Sequence, residues 1–441
     1  MTVGHEYKTT TLDSGLEVHT LHMPNARQNY VEIKVRAGNC HESTSLTGAA
    51  HYLEHMFGYG SDQWQEKDLL PYFQKKGGYY NYGTGPFDTV YWAFAFPHKT
   101  NEYLERMADV LSNPTFTQDQ FDAEREPITT ELLEKLSRFE KAETTFMGRH
   151  LTPGHRINTH GIGTMEHLEE MTYDDIHAFY KSAYTTKNMF LIVVGNVNHE
   201  KVVLQAETMF SGLSQEEPTV KMEPFTYKTG TQFIPSDSQT SDVNIWFTIA
   251  DQTNPFSVQD NIVSRLLNNH LEEKLRQESK IVYTAEASTS YVPSASHLVC
   301  SVSAKPEKLE PVLEVFFDAL KSFHENLNQA HIDSYIAQRE EEVATTIDSP
   351  YNQGEFLSAN IFSGRGYIPF DQEMVEAQAL TPEQAKNRFL EILKGDAVSF
   401  IMGTFKIQPD IDAKIENLRR NLRIENVSPA PYTDPRLQFN K

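Results

Sequence analysis

The chain has 441 residues, 39% hydrophobic and 23% charged, with a formal net charge of −22. That length exceeds one ordinary core, so two or more domains are expected; the acidic balance disfavours nucleic acid as a partner, and no apolar run is long enough for a membrane helix. The two cysteines, Cys40 and Cys300, lie too far apart for a disulfide framework or a Cys-rich metal site, and the first residues lack the basic-then-apolar order of a secretory signal, so a cytoplasmic location is expected.

In chain order, residues 15–36 predict two strands around a Pro-Asn-Ala turn. The polar run 42–48 offers Ser and Thr as caps for a helix carrying Ala49-Ala50-His51-Tyr52-Leu53-Glu54-His55. A second helix fits 65–77, with Leu69, Leu70 and Phe73 at helical spacing and Gly77-Gly78 as its stop. Residues 79–85 and 89–96 read as strands and 102–114 as an amphipathic helix. Residues 119–140 predict a further helix that Pro127 should kink or divide. Residues 172–184 are helical, and 188–197 form a buried strand ending at a glycine. The polar segment 214–231 looks like an interdomain linker.

After it the order restarts. Residues 241–250 resemble the earlier strand in character, 254–277 form a long helical stretch, and 397–418 repeat the strand–glycine–helix character of 188–210. This predicts an α+β fold with an internal duplication, divided as 1–215, a linker at 216–230, and 231–441. The second copy has no counterpart to the histidine-rich helix, so the halves share a fold signal but not the chemistry.

His51, Glu54 and His55 stand at i, i+3 and i+4, on one helix face. Two imidazoles four apart can hold one metal ion from a single helix, here in the order His-x-x-Glu-His. Glu54 is then placed to accept a water proton without being a ligand. A catalytic zinc site needs a third protein ligand and an open position. The acidic helix at 119–140 offers Glu124, Glu126, Glu131 and Glu134, of which Glu124 and Glu131 share a face.

These residues resemble the pitrilysin or insulinase family of inverzincin metallopeptidases, processing peptidases included. The family's third zinc ligand lies about 76 positions after its second histidine, which falls on Glu131 in a matching Glu-Arg-Glu-x-x-x-x-Glu segment, with Glu124 at the carboxylate that orients a histidine ligand. Residues 77–92 are similar to the family's Gly-Gly-x-x-Asn-Ala-x-Thr strand, with Asn81 and Thr84 at the marked positions and Tyr82 where alanine is common. Residues 195–202 resemble its Gly-Asp-Val turn, and Arg276 with Tyr283 matches an Arg and Tyr pair from the C-terminal domain.

The resemblance implies two homologous α/β-sandwich domains, each a mixed, mostly antiparallel sheet with helices on one face, closing like a clam around a chamber. It implies one Zn2+ per chain on His51, His55 and Glu131, with Glu54 as base, Arg276 and Tyr283 at the oxyanion, and Asn81, Tyr82 and Thr84 on the substrate. The activity implied is endopeptidase cleavage of extended peptides, by a homodimer or a heterodimer with a paralogue, with neither nucleic acid nor membrane as partner. The alternative is a non-catalytic scaffold subunit, or a peptide-binding partner in a heterodimeric peptidase.

Overall fold

A computed structural model describes residues 4–64, 66–139, 156, 160–222, 229–235, 239–249, 257–292, 295–404 and 408–424. The chain forms two compact units. The first holds the described residues up to 222 together with Thr345–Ile368, and the second holds the remainder.

The strands of the first unit are β1 (Glu6–Thr11), β2 (Glu17–His22), β3 (Asn29–Val35), β4 (Tyr79–Thr84), β5 (Thr89–Ala95) and β6 (Met189–Gly195). Among the described residues its helices up to the linker are α1 (Ala49–Met56), α2 (Glu66–Lys75), α3 (Thr100–Ser112), α4 (Gln118–Phe139), α5 (Met165–Glu170), α6 (Tyr173–Ala183) and α7 (His199–Met209). The sheet order is β1-β2-β6-β3-β5-β4, antiparallel except for the parallel β2–β6 pair. Val31, Ile33 and Val35 of β3 and Met189, Leu191 and Val193 of β6 turn to the helices and join Tyr52, Leu53 and Met56 of α1 in one core. The alternate residues of both strands face the other way, as the two-residue period of a strand requires.

The second unit contains β7 (Gly230–Pro235), β8 (Ser241–Thr248), β9 (Thr284–Val292), β10 (Ala295–Ala304) and β11 (Ala397–Gly403). Helices α8 (Val258–Leu271), α9 (Leu309–Asn326), α10 (Gln329–Thr346), α11 (Pro350–Phe362), α12 (Gln372–Ala379), α13 (Pro382–Leu393) and α14 (Ile411–Asn421) complete the chain, and α11 belongs to the first unit. The order β7-β11-β8-β10-β9, with only β7–β11 parallel, repeats β2-β6-β3-β5-β4 strand for strand. The duplication expected from 188–210 and 397–418 is therefore present as topology: β6 and β11 hold equivalent central places. Cys40 and Cys300 are buried free thiols, and burial pushes each up to about 12. Among the described residues no helix is long and apolar enough to cross a membrane.

Two expectations need correction. Residues 231–441 do not all join the second unit, because the chain returns at Thr345–Ile368 to cover the reverse face of the first sheet. There Leu357 and Ile361 of α11 pack on Leu21, Tyr30, Phe190, Ile192 and Val194. The fully buried Glu32 accepts from Ser358, and Tyr30 Oη lies 2.5 Å from Glu32 Oε2 and 2.7 Å from Glu355 Oε1. One hydroxyl hydrogen cannot serve both carboxylates. Burial raises the Glu32 pKa against the opposing charge of Lys34, whose Nζ lies 3.7 Å away. Parts of 216–230, and residues 425–441, lie outside the described residues, as do the first residues of the helical stretch expected from 254.

Pro127 does not divide its helix either, since α4 runs from Gln118 to Phe139 through it. Pro127 and Ala123 are both exposed, so the ring points to solvent and the carbonyl left without a donor can bond water.

On the sheet of the second unit, His297 is wholly buried, with its ring centroid 5.4 Å from that of Trp246. Burial pulls its pKa from 6.5 to about 4. Between those values the unfolded chain takes up a proton that the folded chain does not, so stability falls as pH falls through that window, by about 3 kcal/mol in full. Urea unfolding of His297→Phe should show an acid loss between pH 7 and 4.5 that is smaller than wild type by about 2 kcal/mol. Equal losses in the two proteins would contradict this.

Candidate metal centre

α1 is anchored at its N-terminus by a carboxylate rather than by a Ser or Thr cap. Gly48 is the N-cap residue, with φ of 97°, and a β-carbon there would collide with the Ile162 carbonyl. Only glycine suits that conformation and that approach. Buried Glu42 reaches over from the preceding loop: Gly48 N donates to its Oε2 at 2.9 Å and Ala50 N to its Oε1 at 2.7 Å. The negative charge suits the positive end of the helix, and Arg156, also buried, pairs with Glu42. The polar run 42–48 announced a cap, but the side chain that does the work is the one whose charge matches the helix dipole.

α4 lies against α1. Tyr52 stacks on Phe121 at 4.6 Å between ring centroids and donates to the Phe121 carbonyl at 2.5 Å. Ile128 and Leu132 are buried in the same core. Arg125 ties α4 to the end of α5 through the Met171 carbonyl at 3.0 Å. Glu124 and Glu131 share the face that these apolar contacts turn toward α1, whereas Glu126 and Glu134 are exposed.

The structure brings His51, His55 and Glu131 together. One donor atom from each lies within 4.8 Å of the others. His51 Nε2 and His55 Nε2 are each 3.4 Å from Glu131 Oε2. Ligands about 2.05 Å from a tetrahedral centre stand roughly 3.3 Å apart, so the donor set fits one zinc-sized ion with a fourth position left over. His51 is only 8% exposed. Behind the site, Glu124 Oε2 is 2.9 Å from His55 Nδ1, which fixes that ring with Nε2 facing Glu131.

The electrostatics suit a cation. Hydrogen bonds from His51 and then His55 hold the Glu131 carboxyl well below the usual carboxylate range. Burial pulls His55 down, but its hydrogen bonds to Glu124 and Glu131 together outweigh that and raise it to about 9. Two neighbours went unread in the sequence. Lys135 Nζ lies 2.6 Å from Glu131 Oε1, the oxygen turned away from the histidines. His160 is lowered by burial and by the charges of Lys135 and His51. Lys135 follows Glu131 at i+4, and that spacing was the available signal; nothing local marks His160.

Glu54 is buried on the same helix, 6% exposed, and accepts from Thr84 Oγ1. β4, which carries Thr84, ends the sheet order and pairs with β5. The expected substrate residues divide over its two faces. Tyr82 packs toward the core, and Asn81 Nδ2 donates to Tyr79 Oη at 3.1 Å on the other side. Arg276 and Tyr283 belong to the second unit. Arg276 sits in a π-helical turn, 3.1 Å from Glu272, and lines a cavity of ≈ 460 Å³ between α8 and β9. Tyr283 is 54% exposed.

Two family models match the chain. Residues 17–154, which hold His51, Glu54, His55, Glu124 and Glu131, match the model of the insulinase family, peptidase family M16. Residues 170–339 match the M16 inactive-domain model. An uncharacterized zinc protease of Rickettsia bellii is 22% identical over 400 residues, covering 89% of this chain and 93% of its own. The mitochondrial-processing peptidase subunit beta of Caenorhabditis elegans is 21% identical over 422 residues, covering 91% and 90%. The corresponding subunit of Neurospora crassa is 28% identical over 244 residues and is matched over 51% of its length.

Among solved structures, a protease from Helicobacter pylori superposes with a TM-score of 0.76 at 17% identity, covering 91% of this chain and all of its own. The first half of the periplasmic protease PqqL from Escherichia coli gives 0.75 at 18%, covering 97% and 98%. With its two repeated units and the His-x-x-Glu-His helix confined to the first, the chain is a member of the pitrilysin/insulinase-type M16 peptidase family.

Proposed function

We propose that this protein is a zinc-dependent endopeptidase acting on extended peptides, with the metal on His51, His55 and Glu131. The observation that carries the reading is the pair of 3.4 Å separations converging on Glu131 Oε2 from His51 and His55, with Glu54 held on the same helix. A zinc ion there would supply Lewis acidity toward a carbonyl and a water. Glu54 takes the proton of the attacking water and returns it to the leaving amine as the C–N bond breaks. β4 offers main-chain groups to which an extended peptide can add as a further strand, a mode that reads little sequence. The family resemblance puts Arg276 and Tyr283 at the developing oxyanion, and we propose that role for them; Tyr283 is exposed, whereas Arg276 would have to exchange Glu272 for it. Similarity to processing-peptidase subunits supports a working form of two chains, either identical or paralogous.

The test is incubation with a mixed peptide library, followed by mass spectrometry for new termini. Cleavage should require zinc, stop with a chelator and return when zinc is restored. In the same assay Tyr283→Phe should cleave about 100-fold more slowly at unchanged zinc content. A chain holding one zinc that binds peptides and cuts none would instead be a scaffold or peptide-binding subunit.

A further inference from the structure

We infer that Thr84 aims the Glu54 carboxylate, so that the edge strand β4 orients the base as well as offering a place for substrate. The inference rests on the peptidase reading above. Strand parity separates the side chains of β4. Tyr80, Tyr82 and Thr84 share one face, and Tyr79, Asn81 and Gly83 share the other. On the first face Tyr80 stacks on Phe73 at 5.0 Å and Tyr82 lies 6.4 Å from Tyr91, so this face is packed into the core beside α1. On the second, Asn81 and Tyr79 bond each other and Tyr79 meets Phe94 at 5.8 Å. The Asn and Thr of the strand motif thus point to opposite sides, and they do different jobs.

Thr84 faces α1, and its hydroxyl donates to Glu54 Oε2. A carboxylate as buried as Glu54 needs a donor, and a glutamate side chain left free loses rotamer entropy each time it is used. With Oε2 tied down, the carboxylate plane is set and Oε1 is left for the water proton. Threonine suits the task because β-branching restricts its χ1. Its strand is held from behind: Thr84 pairs with Thr89 on β5, and Thr89 Oγ1 donates to the Ala37 carbonyl at 2.9 Å. The Thr84 hydrogen is used on Glu54 and cannot also be given to a peptide carbonyl. Thr84 is therefore a positioning residue, in contrast to the substrate contact that the family resemblance implies.

The experiment compares wild type, Thr84→Val and Thr84→Ser, each loaded with zinc and checked for zinc content and melting temperature. Val keeps the shape and removes the hydroxyl. It should lower kcat about 10–100-fold, the scale of a misaligned reacting group, with KM and zinc content unchanged; Ser should recover the rate to within a few fold. A second readout avoids turnover. In the Glu54→Gln background, Thr84→Val should leave the Kd for a bound peptide unchanged, because Thr84 acts through residue 54. An unaltered kcat in Thr84→Val, a rise in KM alone, or weaker peptide binding in the double variant would each overturn the assignment. If the zinc-loaded wild type cleaves no peptide, the peptidase reading itself has failed, and this inference with it.

Discussion

Glu54→Gln should retain one zinc per chain and lose about 10²–10⁴-fold in peptide turnover, the range expected when a general base is removed. The reason is geometric. Glu54 sits on the α1 face that carries His51 and His55, yet the described donor set is completed by Glu131, and Glu54 is engaged by Thr84 instead. Glutamine has the same length and still accepts from Thr84 through its carbonyl oxygen, so the helix, its Glu42 anchor and the three donors are left in place. What it cannot do is take a proton. The variant should also bind peptides without consuming them, and so give a direct Kd. Zinc per chain by elemental analysis, with turnover on the same sample, checks this. Wild-type rates in the variant would remove Glu54 from the role, and loss of zinc would make it a ligand.

Much of the first unit and its candidate centre can be read along the chain, because the signals are local and periodic. The i, i+3, i+4 spacing of His51, Glu54 and His55 places them on one face whatever surrounds the helix. Glu124 and Glu131, seven apart, likewise share a face of α4, although their reach to α1 came only from the resemblance. The duplication was visible in β6 and β11 because both are buried on two sides and read as continuous apolar runs.

What escaped reading depends on contacts distant in sequence. Residues Thr345–Ile368 look like any helical segment of the second half. Their return to the first sheet rests on Leu357 and Ile361 packing on its apolar face and on Ser358 and Glu355 meeting Glu32 and Tyr30, over three hundred positions away. Arg156 on Glu42 and Thr84 on Glu54 are of the same kind. Pro127 is different: of the kink or division that a local rule allows, the division does not occur, and Pro127 and Ala123 both stand on the exposed side of α4.

Removing a ligand should have the largest effect of all. Glu131→Gln or His51→Ala should drop zinc well below one per chain and take peptide cleavage down with it, because two remaining donors do not make a zinc site. Glu124→Gln should behave differently. Glu124 touches His55 Nδ1 at 2.9 Å and is not one of the three converging donors, so zinc affinity should weaken about 10–100-fold while zinc at saturation restores cleavage. None of these variants should unfold the chain. The α1–α4 contact is carried independently by Tyr52 on Phe121 and by buried Ile128 and Leu132, and α1 keeps its Glu42 anchor. Circular dichroism and melting would confirm an intact fold beside the zinc titration. A Glu131→Gln protein that binds zinc one to one and cleaves at the wild-type rate would show that the carboxylate facing the two imidazoles is there for an ion pair across the helices. The third ligand would then have to be sought elsewhere.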